Sequence, residues 1–575
     1  MKQLMSGNEA FARGLYEAGC CYVSSYPGTP STEITEQAAR YPEMYAEWAP
    51  NEKVALESCF GASLGGRRAF CGMKHVGLNV AADPLFTLSY TGISAGVVIA
   101  VADDPGMHSS QNEQDSRWYA RASKLPMLEP SDSLEAKEFT KLAFELSETF
   151  DTPVLIRICM RVAHSKSLVE TGDRREPERR PYAKDPSKYV MMPGFAIRRH
   201  PIVEKRQADL AEYAETSPLN QIEDGRDHSR GILTAATSYQ YVKEALGDRY
   251  PVLKLGMTHP VPAQMIRNFA AEVGELVVVE ELDPILENEC RTLGLSVRGK
   301  DLFSCLGELS PNIIREKLGD GAPSCTALEQ ALPGRPPVLC PGCPHRGLFY
   351  TLKRNRLTVF GDIGCYTLGA TAPLSAMDTT LCMGASISGL HGYLKTAGPE
   401  AASRTVAVIG DSTFLHSGVT GLINVAYNES PATVIILDNS ITGMTGHQQN
   451  PATGYNLKGD PCTKIDLEAL CRAAGIRRVR VVDPYDLEEC DRAVKEELAA
   501  AEPSVIISRR PCALLKYVKH AAPLAVDTDS CVGCRSCMQI GCPALSFEDG
   551  HAVVDSGQCV GCGVCSQLCY FGALS

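Results

Sequence analysis

The sequence has no long hydrophobic run. The longest, residues 92–102, falls far short of the roughly 20 apolar residues that span a bilayer, so no membrane segment is expected. There is no surplus of positive charge either. The 56 Lys and Arg stand against 68 Asp and Glu, a formal net charge of −12, which argues against bulk binding of nucleic acid. The first 19 residues follow an amphipathic helical pattern with charges throughout, unlike a secretory leader, so a cytoplasmic location is expected. With 44% hydrophobic and 22% charged residues over 575 positions, the composition suits a soluble globular protein of roughly three to five domains. Cysteine, by contrast, is plentiful. In a chain of this size without an export signal, 24 Cys point to metal or redox chemistry before disulfides. Eight of them fall in the last 45 residues, so they are not a general compositional bias.

Residues 405–446 carry the most informative local pattern. An apolar run at 406–409 predicts a buried strand ending in Gly410-Asp411-Ser412. Residues 417–428 place Val419, Leu422, Ile423 and Ala426 at helical spacing, and a second apolar run at 434–437 ends in Asp438-Asn439. Strand, helix and strand form a βαβ unit whose crossover makes the strands parallel. Asp411 and Asn439, 28 residues apart, therefore share one rim of the sheet. A carboxylate, an amide oxygen and nearby carbonyls suit Mg²⁺, which usually also takes ligand phosphates. The pattern resembles the diphosphate-anchoring motif of thiamine diphosphate enzymes, with Ser412 in place of a Gly and Asp438 in place of an Asn. An ordinary Rossmann-like unit with a turn Asp is the alternative.

Residues 26–33, YPGTPSTE, form a strand-to-helix turn in which Ser31 or Thr32 is placed to cap the next helix. Hydroxyls and N–H groups there favour an anion such as a substrate carboxylate. Asn51 caps a helix whose Glu52 or Glu57 is a candidate for the acid that thiamine chemistry requires; a solvated first-turn Glu is the plainer reading. The loop 103–117, DDPGMHSSQNEQDSR, follows a strand and offers His108 and Arg117 as substrate contacts or as ordinary solvated side chains. Residues 186–229 look like a linker with a charged helix near 204–214. Residues 230–332 return to an α/β pattern with strands near 232–236, 252–255 and 276–280 and no catalytic constellation.

Further on, Cys340-Pro341-Gly342-Cys343 forms a CxxC turn, and Cys365 follows Cys343 by 22 residues. Taken alone, that CxxC fits structural zinc, a redox pair or no chemistry at all. The tail is clearer. Cys531-x2-Cys534-x2-Cys537-x4-Cys542-Pro543 and Cys559-x2-Cys562-x2-Cys565-x3-Cys569 follow the spacing of bacterial two-cluster ferredoxins, in which the fourth Cys of each run crosses over. One [4Fe–4S] cluster is then expected on Cys531, Cys534, Cys537 and Cys569, the other on Cys559, Cys562, Cys565 and Cys542. A tail this short cannot build much core, so the clusters must supply folding energy.

A thiamine-type motif and a two-cluster tail in one chain resemble the 2-oxoacid:ferredoxin oxidoreductase family, most closely the large subunits of its arylpyruvate-oxidising branch. The matching stretches are YPGTPSTEI at 26–34, NEKVALESCFGA at 51–62, DDPGMHSSQNEQD at 103–115, LCPGCPHRG at 339–347, GDIGCYTLG at 361–369, and GDSTFLHSG through LDNSITGMTGHQ. The fold implied is multidomain α/β with two doubly wound thiamine-binding domains. The first, a pyrimidine-binding domain, covers 1–185, and the second, a pyrophosphate-binding domain, covers 333–522; between them lie the 186–229 linker and a smaller transketolase C-terminal-like α/β domain over 230–332. A bacterial-type 2[4Fe–4S] ferredoxin domain over 523–575 completes the chain.

The same resemblance implies roles. Glu52, nine residues before Gly61, takes the place of the activating acid in preference to Glu57, and Thr29 that of the substrate-carboxylate contact, beside His108 and Arg117. Gly384, Ser386, Gly410, Asp411, Ser412, Asn439 and Ile441 are expected to bind the cofactor, with Asp411, Asn439 and the Ile441 carbonyl on Mg²⁺. Cys340, Cys343, Cys365 and Cys512 match four scattered ligands of a third [4Fe–4S] in single-chain relatives. The expected activity is oxidative decarboxylation of arylpyruvates such as indolepyruvate to arylacetyl-CoA, with coenzyme A as acceptor and electrons leaving to ferredoxin, in the cytoplasm of an anaerobe. A domain of the single-chain enzymes has no counterpart here, which implies a separate small (beta) subunit in a heterodimer or a dimer of heterodimers. A non-oxidative decarboxylase and an electron-transfer subunit on an inactive thiamine fold are the alternatives.

Overall fold

A strand buried on both faces needs a continuous apolar run rather than alternation. Residues 97–102 supply one, and every side chain in it is fully buried. The computed structural model, which describes residues 1–319, 321 and 330–575, places this strand, Val97–Asp103, near the centre of a seven-stranded sheet. The chain divides into two units, Met1–Glu329 and Gln330–Ser575.

In the first unit the large sheet runs Met257–His259, Met127–Leu128, Val154–Cys159, Val97–Asp103, Ala69–Lys74, Tyr22–Ser25, Tyr45–Trp48. It is parallel except at the first strand, which pairs antiparallel with Met127–Leu128. A second sheet, mostly parallel, runs Val297–Arg298, Leu276–Val279, Gly231–Ala235, Val252–Leu255, Gln221–Glu223. Parallel order puts the C-terminal ends of Tyr22–Ser25, Ala69–Lys74 and Val97–Asp103 on one edge. The 26–30 turn, Lys74 and the 104–110 loop emerge there.

The charged helix expected near 204–214 is longer, Pro193–Thr216. Its buried positions are Arg199, Val203, Arg206, Leu210 and Ala214, so two of five inward residues are arginines and the apolar stripe is hidden from periodicity. Their guanidinium groups cap backbone instead: Arg199 Nε donates to the Tyr90 carbonyl (2.7 Å) and Arg206 Nη1 to that of Asp151 (3.0 Å).

The second unit holds a five-stranded parallel sheet in the order Thr358–Phe360, Thr405–Gly410, Thr433–Asp438, Ser504–Arg509, Arg478–Val482. The expected helix after Thr405–Gly410 starts earlier than its apolar spacing indicates. It begins at Asp411, widens over Phe414–Gly418 and continues as Val419–Tyr427. Such wide turns are frequent at functional sites. The tail is a small hairpin, Leu545–Glu548 with His551–Val554, over a core in which Cys537 and Cys565 pack among Ile540, Leu545, Val564 and Leu568. Among the described residues no helix is long and apolar enough to cross a membrane.

Candidate active site and cluster cages

The register Gly410↔Leu437 places Asp411 beside the Asp438–Asn439 end of the neighbouring strand. Asp411 is 2% exposed. Its Oδ1 accepts the Ser412 N–H at 2.8 Å, while Oδ2 is buried with no hydrogen bond of good geometry, the Asn450 amide being its nearby polar neighbour. Burial, with the Asp438 charge next, pushes the Asp411 carboxyl up to about 8. A buried carboxylate with a poorly satisfied oxygen is costly, and a cation is what would relieve it. Beside it, Asn439 Oδ1 accepts the Ile441 N–H at 3.4 Å. Thr442 donates to Ser412 at 2.9 Å and ties the two loops together, a bond that glycine at 412 would not make. Gly384, at φ 89°, opens the helix Ala385–Thr396; a Cβ there would lie 2.7 Å from that of Ser417, so glycine is required. These residues fit a divalent cation with a diphosphate.

Two of the four scattered cysteines lie against the same rim. The Cys512 N–H donates to the Asn439 carbonyl at 2.9 Å, and the Cys365 sulfur lies 3.3 Å from where a Cβ on Gly443 would stand. Burial pushes the Cys343 thiol up to about 12 and Cys365 to about 11. Cys340 and Cys365 add to the first, Cys512 and Cys340 to the second, so the four thiols lie within one another's electrostatic reach. His345 packs edge-on against Tyr366, with ring centroids 6.0 Å apart.

In the tail, two cavities sort the remaining cysteines as the crossover spacing predicts. One of about 370 Å³, including its open mouth, is lined by Cys531, Cys534, Cys537 and Cys569. The other, about 320 Å³, is lined by Cys542, Cys559, Cys562 and Cys565. Backbone N–H groups of Ala552 and Gly533 hold the Cys531 thiol below its ordinary range. Among the described residues no three His, Cys, Asp or Glu side chains converge on a single-ion site. Cysteines ringing a cavity are the wider arrangement that a polynuclear cluster needs.

In the first unit, Asn51 caps the helix Glu52–Leu64 by accepting the Val54 N–H at 2.9 Å. Glu52 is 5% exposed, whereas Glu57 lies on the surface and pairs with Lys53. Glu52 packs on Gly77, where a Cβ would fall 2.5 Å from its Oε1. Gly77→Ala is therefore expected to shift the Glu52 carboxylate. Because the clash is with the end of a flexible side chain, the stability cost should stay near 1 kcal/mol. If Glu52 is the activating acid, misplacing it by an ångström costs up to ~100-fold, and kcat should fall roughly 10–100-fold with little change in melting temperature. Steady-state rates and thermal melts check both halves.

Residues 13–223 match the model of the thiamine diphosphate-binding domain of pyruvate flavodoxin/ferredoxin oxidoreductases. Residues 362–508 match the C-terminal TPP-binding domain of thiamine pyrophosphate enzymes, and 524–570 a 4Fe-4S dicluster domain. The indolepyruvate oxidoreductase subunit IorA of Archaeoglobus fulgidus is 40% identical, covering 96% of this chain and 94% of that one. The chain belongs to the IorA family. IorA of Methanothermobacter thermautotrophicus is 41% identical over 100% of this chain and 97% of its own, and that of Pyrococcus horikoshii 39% over 100% and 96%. Like its IorA relatives, the chain is an oxidoreductase, of the thiamine diphosphate class, and carries an iron–sulfur domain.

Some expected contacts of this IorA-family chain lie elsewhere. Arg117 is 4% exposed and locked between Asp115 and Glu280, each at 2.6 Å, with Nη2 also on the Glu281 and Asp283 carbonyls at 3.0 and 3.1 Å. Although burial opposes it, these carboxylates hold the guanidinium charged. Arg117 therefore fastens the 103–117 loop to the 276–283 region. His108, half exposed, pairs with Glu308 at 2.8 Å. Ser31 does not cap the helix Thr32–Ala38; its hydroxyl turns back to the Gly28 carbonyl at 2.9 Å. Thr29 is half-buried in the turn, and a Cβ on its neighbour Gly28 would lie 3.0 Å from that of Lys74. Lys74 in turn donates to the Ser109 carbonyl at 2.7 Å. Two residues carry weight although their sequence context assigns neither a role, Asp362 within the GDIGCYTLG stretch and Lys74 outside any motif. Asp362, fully buried, accepts the N–H groups of Gly384 and Ser386 at 3.0 and 3.1 Å and shapes that turn. Lys74 joins the 26–30 turn to the 104–110 loop.

Proposed function

We propose that this chain is the large subunit of an enzyme that oxidatively decarboxylates arylpyruvates to arylacetyl-CoA and passes the electrons to ferredoxin. The observation that carries the reading is the sequence of groups in the second unit: the buried Asp411 oxygen beside Asn439, Cys365 and Cys512 against that rim, then the two tail cages. A decarboxylase without a redox outcome needs no such series. Thiamine diphosphate, when bound, supplies an electron sink for loss of carbon dioxide from a 2-oxoacid. Asp411, Asn439 and the Ile441 carbonyl hold its Mg²⁺; Gly384, Ser386, Gly410 and Ser412 line its diphosphate. Glu52 is the acid that would serve its pyrimidine ring, and Thr29 the hydroxyl that would meet the substrate carboxylate. Cys340, Cys343, Cys365 and Cys512 hold a [4Fe–4S] cluster, and the tail cysteines hold two more. A separate small subunit completes the enzyme, as a heterodimer or a dimer of heterodimers, and contributes to the coenzyme A site.

The test is anaerobic reduction of ferredoxin by a panel of 2-oxoacids plus coenzyme A, with the partner subunit present. Arylpyruvates should give the highest kcat/KM. Aldehyde release without ferredoxin reduction would instead identify a non-oxidative decarboxylase. At four irons per cluster, three cages predict about 12 Fe per chain against about 8 for the tail alone. Cys365→Ser should lower the count by up to about 4 and leave the tail signals in place.

A further inference from the structure

Arg346 lies in the motif LCPGCPHRG and is 4% exposed. All its hydrogen bonds end on neutral carbonyls. Nη1 donates to Ile540 at 3.2 Å and also to Gly541, Nη2 to Leu339, and Nε to Cys340 at 3.2 Å. Among the described residues no carboxylate pairs with it. Of the arginines buried to a similar degree, Arg117 and Arg157 each sit against carboxylates at 2.6 Å or closer, whereas Arg206, like Arg346, ends on carbonyls, those of Ser89 and Asp151, but with no cysteine cage beside it. A buried guanidinium without a counter-ion is strongly disfavoured. Its bonds mark where compensation would come from. The Cys340 carbonyl belongs to the CPGC cage, and Gly541 directly precedes Cys542 of a tail cage. A Cβ on Gly541 would lie 3.5 Å from Arg346 Nη1. Gly342 of the same CPGC turn lines that tail cavity too.

We propose that Arg346 is a positioning residue shared by two iron–sulfur cages, whose fixed positive charge favours the reduced state of the cluster on each side and joins the tail to the CPGC turn. The inference rests on the cluster assignment above. A cluster that accepts one electron and no proton gains one negative charge, and a cation at fixed distance stabilises the more negative state. The bonds to Leu339, Cys340, Ile540 and Gly541 keep that distance fixed.

The test uses the chain with its partner subunit, as Arg346→Gln and Arg346→Lys, with iron counting and EPR-monitored potentiometric titration. At equal iron content, Arg346→Gln should lower the reduced-to-oxidised ratio of the adjacent clusters at least ~tenfold at fixed potential, a midpoint fall of about 59 mV for a one-electron couple. Arg346→Lys, which keeps the charge and loses the fork, should stay within about threefold of wild type, under half that shift. If Gln loses iron and Lys retains it, the charge is again what the cages need. Unmoved midpoints in a fully loaded Gln variant, an equal shift in both variants, or loss of iron from both would overturn the proposal. A wild-type count of about 8 Fe would remove the third cage alone, and the same tenfold criterion then applies to the tail clusters.

Discussion

Glu52→Gln should lower kcat for ferredoxin reduction by roughly 10²–10⁴-fold, the range a positioned proton-transfer group contributes, while iron content and melting temperature stay at wild-type values. The substitution preserves shape, so the packing of residue 52 on Gly77 and the Asn51 cap are retained. Only the capacity to take and return a proton is removed. Glu57→Gln is the matched control: it sits on the same helix but on the surface, paired with Lys53. Exposed pairs of that kind contribute about 0–1 kcal/mol, and its kcat should not change. Full turnover in Glu52→Gln would turn the reading toward an electron-transfer subunit on an inactive thiamine fold.

What could be read from the sequence depended on whether a residue's partner was encoded nearby. Cysteine ligands are specified by identity and spacing, and even the crossover of Cys542 and Cys569 follows from the two runs; both cavities hold the sets expected. Asp411 and Asn439 were legible because a βαβ crossover fixes which strand ends coincide. Arg117 was not. Its loop is polar and follows a strand, as a substrate loop would; Asp115 stands two residues away, but the second carboxylate that closes over the guanidinium, Glu280, lies 163 residues on. Nothing local distinguishes an arginine that will be buried by a distant carboxylate from one left facing a ligand. Arg199 and Arg206 hid the inner face of Pro193–Thr216 for a related reason, since a charged residue whose head caps distant carbonyls counts as polar in any pattern. Asp362 organises the Gly384–Ser386 turn through three-dimensional proximity alone.

Asp411→Asn should separate stability from function, raising one and abolishing the other. In the protein stripped of Mg²⁺ and thiamine diphosphate, burial and Asp438 raise the Asp411 carboxyl from its ordinary 3.8 to about 8. A folded-state value above the unfolded one means that the native state holds the extra proton between those limits. Stability is then fullest below the unfolded value and is lost as pH rises through the folded value. Asn carries no charge, so the stripped variant should melt higher than the stripped wild type at pH 8–9, and the difference should vanish toward pH 4. The loaded enzyme should behave oppositely. Mg²⁺ needs the carboxylate, so binding releases a proton below pH 8, and apparent affinity should rise about tenfold per pH unit up to there and then level off. Asn should erase that slope. Removing a residue that merely orients a ligand costs about 10–100-fold, so loss of a direct ligand should cost at least about 100-fold in activity at fixed Mg²⁺ and thiamine diphosphate. Thermal melts of the stripped proteins across pH, with calorimetric Mg²⁺ titrations in buffers of different ionisation enthalpy, read both effects. A stripped variant no more stable than wild type at pH 9 would show that Asp411 is already compensated within the fold.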